Sequence, residues 1–146
     1  MKKGFTLVEL LVVLTVIAVL VTISVFGLQG ARESARDSRR KSDLETIRSG
    51  LEIYRADCDA YPSSITFGGS LRGTVANPSA ACSTSNTYIA EIPQDPQDPS
   101  RAYRYARTST ITYELCAALE QGSGSVSCGG SSSCGSKTCN YKVVSP

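Results

Sequence analysis

Lys3-Gly4-Phe5-Thr6-Leu7-Val8-Glu9-Leu10-Leu11-Val12-Val13-Leu14 opens a run from Phe5 to Leu28 that is apolar almost throughout, apart from Glu9 and the hydroxyls of Thr6, Thr15, Thr22 and Ser24. An α-helix rises about 1.5 Å per residue, so roughly 20 residues cross the hydrocarbon core of a bilayer, and this stretch is long enough. Lys2 and Lys3 favour a cytoplasmic N-terminus, with the rest of the chain outside. A secretory signal would lose its apolar segment at a downstream small-residue site. Here the apolar run is longer than a typical signal core, and charged helix follows it directly. A plain membrane anchor does not account for Glu9, because an ionised carboxylate in hydrocarbon is costly and needs a partner. Glu9 sits near the end of the span, where it can snorkel to the interface or await a cationic group on a neighbouring subunit.

Outward from this run, the segment from Arg32 to about Asp57 is charged and free of proline. Leu44, Ile47, Leu51, Tyr54 and Cys58 recur at helical spacing and form one face wide enough to pack on a sheet. Arg36, Arg39, Arg40, Lys41, Asp43, Glu45, Arg48, Glu52 and Arg55 are assigned to the other faces. Arg39-Arg40-Lys41 reads as a solvated face opposite acidic groups of neighbouring subunits rather than a nucleic-acid site, since Asp37 and Asp43 interrupt the run. A single helix from Phe5 to about Asp57 would be about 80 Å long at the standard rise. Its first half, residues 5–28, would lie in a membrane or filament core; its second half, 29–58, would be the spine of an outer domain, 59–146. Gly27 and Gly30 are weak points in this helix, as Gly costs about 1 kcal/mol relative to Ala.

Asp59-Ala60-Tyr61-Pro62-Ser63-Ser64 carries turn chemistry and ends the helix. Residues 63–90 are polar and weakly patterned, and are expected to be a loop region with at most short helix or strand. Pro93, Pro96 and Pro99 make Ile92 to Pro99 an extended or turning connector. Arg101 to Arg107 reads as a strand, Ser109-Thr110 as a turn, and Ile111 to Leu119 as the antiparallel partner, with Ile111, Tyr113, Leu115 and Ala117 on one face. Gln121 to Lys137, rich in Gly and Ser, would alone be a flexible linker. Tyr141 to Val144 is a candidate last strand. The fold class is α+β: a long N-terminal helix packed on a small antiparallel sheet.

Six cysteines, Cys58, Cys82, Cys116, Cys128, Cys134 and Cys139, all follow the apolar run. An even count in a small Gly/Ser-rich domain reads as a disulfide framework in an oxidising compartment. Zinc is disfavoured, as no two cysteines stand in a C-x-x-C spacing and the chain has no His. Six cysteines permit fifteen pairings; the one expected here joins Cys58 to Cys82, Cys128 to Cys134 and Cys116 to Cys139. With few large apolar residues after position 60, three bridges would offset a thin core, each adding about 2–4 kcal/mol. Charge is nearly balanced, 15 basic against 13 acidic residues, which argues against a chain-wide nucleic-acid footprint. Without His, a catalytic-serine signature or a paired cofactor motif, the chain is not expected to be an enzyme.

Lys3 to Leu14, with Gly-Phe-Thr-Leu-x-Glu at its centre, resembles the class III signal of type IV prepilins and type II secretion pseudopilins. Arg39 to Tyr54 and the Pro93-Gln94-Asp95-Pro96 segment ahead of a Tyr-rich strand are similar to small pilins and major pseudopilins. The resemblance implies that residues 1–4 are a leader, that a membrane peptidase cuts between Gly4 and Phe5 and methylates Phe5, and that Glu9 pairs with the N-terminal amine of an adjacent subunit. It implies a structural subunit of a type IV pilus-like or type II secretion filament, made from a single-pass membrane precursor and delivered to a periplasmic or extracellular filament. Partners would be further copies, related minor pilins, the prepilin peptidase, an inner-membrane assembly platform and the lipid bilayer, with no direct nucleic acid. The alternatives are a non-polymerising, membrane-tethered, disulfide-rich binding module or a minor pilin, including a DNA-uptake pseudopilin. Many members carry a proline in the membrane helix; this chain has none before Pro62. Major pseudopilins hold calcium in an acidic C-terminal loop, whereas Gln121 to Asn140 here has no Asp or Glu. Asp95 and Asp98 are the weak calcium candidates, and no cofactor is expected.

Overall fold

The computed structural model describes residues 4–74 and 81–146. Residues 1–3 of the expected leader and residues 75–80 of the expected loop region lie outside the described residues. The chain falls into two units, Met1–Ala35 and Arg36–Pro146. One helix, α1 (Leu7–Cys58), contributes to both and stays helical through Gly27 and Gly30.

In the first unit α1 begins at Leu7, two residues later than the apolar pattern alone places it, because Thr6 caps it. The described large apolar side chains stand exposed all round the helix, from 49% at Val13 to 79% at Leu7. The hydroxyls in this stretch satisfy themselves on the helix backbone: Thr15 donates to the Val12 carbonyl at 2.8 Å, Thr22 to Ala18 at 2.8 Å and Ser24 to Leu20 at 2.9 Å. That local bonding lets hydroxyls sit on an apolar helix surface without a partner molecule.

In the second unit Leu44, Ile47, Leu51, Tyr54 and Cys58 are buried on one face of α1, as their spacing predicts. They pack against Tyr103, Tyr113, Leu115, Ala117 and Val143 in the main core. The helix ends with Asp59 in the left-handed region at φ 57°, its N–H bonded to the Arg55 carbonyl at 2.9 Å, a cap usually given to Gly. The sheet has three antiparallel strands in the order β3 (Arg104–Ser109), β4 (Thr112–Ala117), β7 (Tyr141–Val144). A short pair, β1 (Leu71–Arg72) with β2 (Thr87–Ile89), supplies Leu71 and Ile89 to the same core.

Two strand boundaries differ from the pattern. β3 starts at Arg104, because Arg101 bridges to Gly135 and its Nη1 donates to the Ala118 and Leu119 carbonyls at 2.7 and 3.2 Å. The hairpin turns at Thr110-Ile111, one residue late, held by the Tyr61 N–H on the Thr110 carbonyl at 2.9 Å. Ile111 is therefore exposed rather than on the core face with Tyr113, Leu115 and Ala117.

Alternation along β4 gives the sheet a second buried side. Cys116 and Ala118 point away from the helix into a small core with Cys128, Cys134, Cys139 and Val126. The Gly/Ser-rich segment after Glu120 thus lies against the sheet. The Cys58–Cys82 bridge is as expected, with Cα atoms 4.7 Å apart. The other two are not: Cys116 pairs with Cys128 at 6.3 Å and Cys134 with Cys139 at 5.1 Å. The reason is local geometry. Gly129 and Gly130, at φ 59° and 83°, let the chain reverse immediately after Cys128. Cys128 then docks beside β3, its carbonyl accepting from Arg104 Nε at 2.9 Å. Cys134 ends β5 (Ser133–Cys134) and Cys139 directly follows β6 (Lys137–Thr138), and the hairpin of these two strands brings them together.

The helix comes so close to β2 at Gly50 that a Cβ there would collide with the Ile89 side chain. Ala is the better helix former by about 1 kcal/mol, yet overpacking costs about 1–3 kcal/mol. Gly50→Ala is expected to lower the stability of the second unit in chemical denaturation, and Ile89→Ala in the same chain to restore part of the loss. A stabilised Gly50→Ala protein would contradict the close approach.

Candidate assembly site

In the first unit Thr6 and Glu9 form a reciprocal cap at the start of α1. The Thr6 N–H donates to Glu9 Oε2 at 2.9 Å, and the Thr6 hydroxyl donates to the same oxygen at 2.7 Å. The Glu9 N–H donates back to Thr6 Oγ1 at 3.3 Å. A Thr three residues ahead of a Glu at a helix start is the capping-box signature, and it was present in the sequence as Thr6-Leu7-Val8-Glu9. Gly4 and Phe5 precede the cap in non-helical chain. A Cβ on Gly4 would meet nothing within 4 Å, and Phe5 is exposed. The residues on either side of that peptide are exposed, while Glu9 is held on the first turn by two donors from Thr6 of its own chain.

The second unit turns on Arg40, whose side chain has no solvent exposure. Its Nε donates to Asp95 Oδ2 at 2.8 Å and its Nη2 to Asp95 Oδ1 at 3.1 Å. Nη2 also reaches Gln97 Oε1 at 3.0 Å, and Nη1 donates to Asp37 Oδ1 at 2.7 Å and to Glu120 Oε1 at 2.8 Å. A guanidinium has five N–H groups in a fixed fork, and each meets an acceptor here. Asp37 also accepts the backbone N–H groups of Glu120 at 2.8 Å and Gln121 at 2.9 Å. Arg36 grips Glu120 with two bonds of 2.6 Å. Arg36 first, and Arg40 with it, hold the Glu120 carboxyl down to about 2 against the opposing effect of burial. Burial pushes Asp37 up, but the Gln121 and Glu120 amides and Arg40 outweigh it and hold it below the usual carboxylate range.

This corrects the reading of Arg39-Arg40-Lys41 as one solvated face. Arg39 is exposed, but Arg40 faces acidic groups of its own chain. The signal was in the spacing. Asp37 and Arg40 continue, at steps of three and four, the stripe of Leu44, Ile47, Leu51, Tyr54 and Cys58, and their charge hid them from a search for apolar periodicity. The calcium candidates Asp95 and Asp98 share a turn, the Asp98 N–H donating to the Asp95 carbonyl at 3.1 Å. The Asp95 carboxylate is taken by Arg40 and by the Gln97 N–H at 2.8 Å, while Asp98 is exposed. Among the described residues no three or more Cys, Asp or Glu side chains are grouped to hold a metal.

An exposed apolar helix with a capped glutamate near its start, in a chain whose other unit is an α+β head, defines a pilin-like subunit. Residues 1–25 match the prokaryotic N-terminal methylation motif, and residues 28–129 match the family described as type II secretion system (T2SS), protein G. The chain belongs to the type II secretion system protein G family. It is similar to type II secretion system core protein G of Pectobacterium carotovorum subsp. carotovorum, 33% identical over 99 residues, which is 65% of this chain and 62% of that relative. The corresponding protein of Klebsiella pneumoniae is 35% identical over 99 residues, covering 65% of this chain and 69% of the relative. That of Pseudomonas aeruginosa is 26% identical over 110 residues, covering 75% and 76%. The chain thus covers less than two thirds of the length of the first of these relatives. No solved structure gives a significant match to the chain. Arg40, Asp95 and Glu120 fall inside the family match, whereas Cys134, Cys139 and β7 lie beyond it.

Removing one partner of a buried ionic network costs about 3–5 kcal/mol, because the others stay buried without it. Arg40→Met is expected to lose that much stability at pH 7 in denaturant unfolding. Unfolded Glu and Asp titrate near 4.3 and 3.9, so the depressed native values of Glu120 and Asp37 contribute stability that is complete above about pH 5 and is lost as pH falls towards 2. The wild-type protein should weaken across that window. Arg40→Met should weaken somewhat less, since Glu120 and Asp37 lose the share of their depression that Arg40 supplies while Arg36 and the backbone amides still hold them. Parallel pH profiles for the two proteins would refute the network.

Proposed function

We propose that this chain is a structural, non-catalytic subunit of a type II secretion pseudopilus, cut after Gly4, methylated on Phe5 and polymerised from the membrane through its N-terminal helix. The observation that carries this reading is the uncovered apolar helix of the first unit in a chain whose first 25 residues match the methylation motif. That helix is long and apolar enough to cross a membrane. So much exposed apolar surface requires lipid or other helices around it. Leaving the bilayer for a core of like helices exchanges one apolar environment for another, so the hydrophobic term opposes extraction little.

Charge then sets the register. Cleavage frees an amine on Phe5. Glu9, whose Thr6 bonds leave its charge unneutralised, is its natural counter-ion on a neighbouring copy, since a charge carried into an apolar core without a partner is expensive. The partners are further copies of the chain, related minor subunits, the prepilin peptidase, the inner-membrane assembly platform and the bilayer. The precursor spans the membrane with its N-terminus in the cytoplasm, and the head stands on the periplasmic side, which suits three disulfides. The subunit works without a cofactor, a reading supported by the engagement of Asp95 with Arg40.

Co-expression with a prepilin peptidase, followed by intact mass and N-terminal sequencing of membrane-purified protein, is expected to give a chain beginning at methylated Phe5. Its mass should be six hydrogens below the reduced chain, as three bridges require. A product still beginning at Met1, or cut beyond Leu28, would sink the filament reading. Glu9→Ala should be processed yet fail to assemble; assembly at wild-type levels would remove Glu9 from the mechanism. The thermal midpoint should be equal in EGTA and in calcium chloride. A midpoint that climbs with calcium concentration, as mass action demands of a native-state ligand, would reinstate a calcium site.

A further inference from the structure

The polar stretch after the helix, which the assembly mechanism does not use, lines a concavity of about 580 Å³ in the second unit. Ser63, Ser64, Thr66, Ser70 and Thr74 line it, together with Arg72 and Arg107. Among the described residues no acidic one lines it. This sets it apart from the rest of the unit, where Arg36 and Arg40 are neutralised by carboxylates of the same chain. Arg107 commits one nitrogen to its own backbone, Nη1 donating to the Tyr61 carbonyl at 3.0 Å, which positions the guanidinium while leaving its other N–H groups available. Arg72 lies on the short β1 strand and has no ion pair among the described residues. A concave surface lined by one sign of charge focuses its field into the space it encloses. Arginine presents paired donors that match carboxylate and phosphate oxygens.

We propose that this concavity binds a small acceptor-rich anion, a carboxylate or phosphate group carried on a polar body. The two guanidinium groups take the charged group, and the hydroxyls of the 63–70 loop take the polar body. Neutral molecules of the same size lack the component that the arginines recognise, and cations are repelled.

The test is a titration of the isotope-labelled full chain in neutral detergent micelles, followed by backbone and arginine Nε–H NMR signals. The probes are inorganic phosphate, glucuronate and, as the neutral comparison, glucose. Phosphate and glucuronate are expected to give saturable shifts at residues 63–72 and at the side chains of Arg72 and Arg107, and glucose none. Saturation by glucuronate but not phosphate identifies a carboxylate on a polar body as the ligand class; saturation by phosphate alone identifies a phosphate group. Arg72→Gln should weaken binding roughly tenfold or more, the usual loss for one charge-assisted hydrogen-bonded contact. The rest of its spectrum should be unchanged. Because Arg107 also supports Tyr61, Arg107→Lys, which keeps the charge, is the companion variant and should weaken binding less than Arg72→Gln. Absence of saturable shifts with either anion, equal shifts with glucose, or undiminished affinity in Arg72→Gln would overturn the proposal.

Discussion

A guanidinium cannot be deprotonated in a protein, so a fully buried Arg40 obliges the surrounding chain to supply acceptors for a charge that will not go away. Those acceptors come from three places: Asp37 one turn back on the helix, Asp95 and Gln97 on the proline-rich connector, and Glu120 at the end of the sheet's central strand. The connector has no regular structure to hold it, and the segment after Glu120 is rich in Gly and Ser. Both are fastened to α1 by the same side chain. Asp37 adds the backbone amides of residues 120 and 121, so even the direction in which the chain leaves β4 is set by this cluster. An arginine on the apolar stripe is therefore less a concession than the point from which the loops of the head are hung.

The head is small and its core leans on tyrosine. Tyr61, Tyr103 and Tyr113 are buried with their hydroxyls on Glu52 or Asp43, and Tyr105 places its own on the Pro62 carbonyl. Each gives a large apolar body while its polar end stays bonded. Burial lifts the Tyr103, Tyr105 and Tyr113 hydroxyls above the usual phenol range, so they remain neutral donors. The far side of the sheet has no comparable supply of large residues. There, two disulfides, Ala118 and Val126 make up the second core. Covalent closure of loops constrains the unfolded chain, which suits a segment whose composition would otherwise leave it unfolded.

The first unit obeys the opposite rule. Its described large apolar side chains are exposed, and the hydroxyls of Thr15, Thr22 and Ser24 bond to the helix backbone. Of its two acidic side chains, Glu33 lies near the far end and Glu9, at the start of the helix, is bound by Thr6. A helix with its hydroxyls settled in this way is suited to an apolar surrounding, and Glu9 is the one ionisable side chain in the run from Phe5 to Leu28.

The apolar run of residues 5–28, the helical stripe from Leu44 to Cys58, the hairpin around residue 110 and the Thr6–Glu9 cap all depend on neighbours in the chain, so periodicity, propensity and capping chemistry suffice to read them. The family resemblance rests on the same local signals. Disulfide partners, the exit of Arg40 from the solvated face, the fate of Asp95 and the boundaries of β3 depend on groups brought together from distant positions. Cys128 finds Cys116 because two glycines reverse the chain beside β3, at Arg104, whose partner in β4 is that cysteine. Arg40 is buried because carboxylates 55 and 80 residues away converge on it. Composition can supply such groups, but only the packed chain decides which of them meet, since the cost of burying a charge is settled by what surrounds it and not by its position in the sequence.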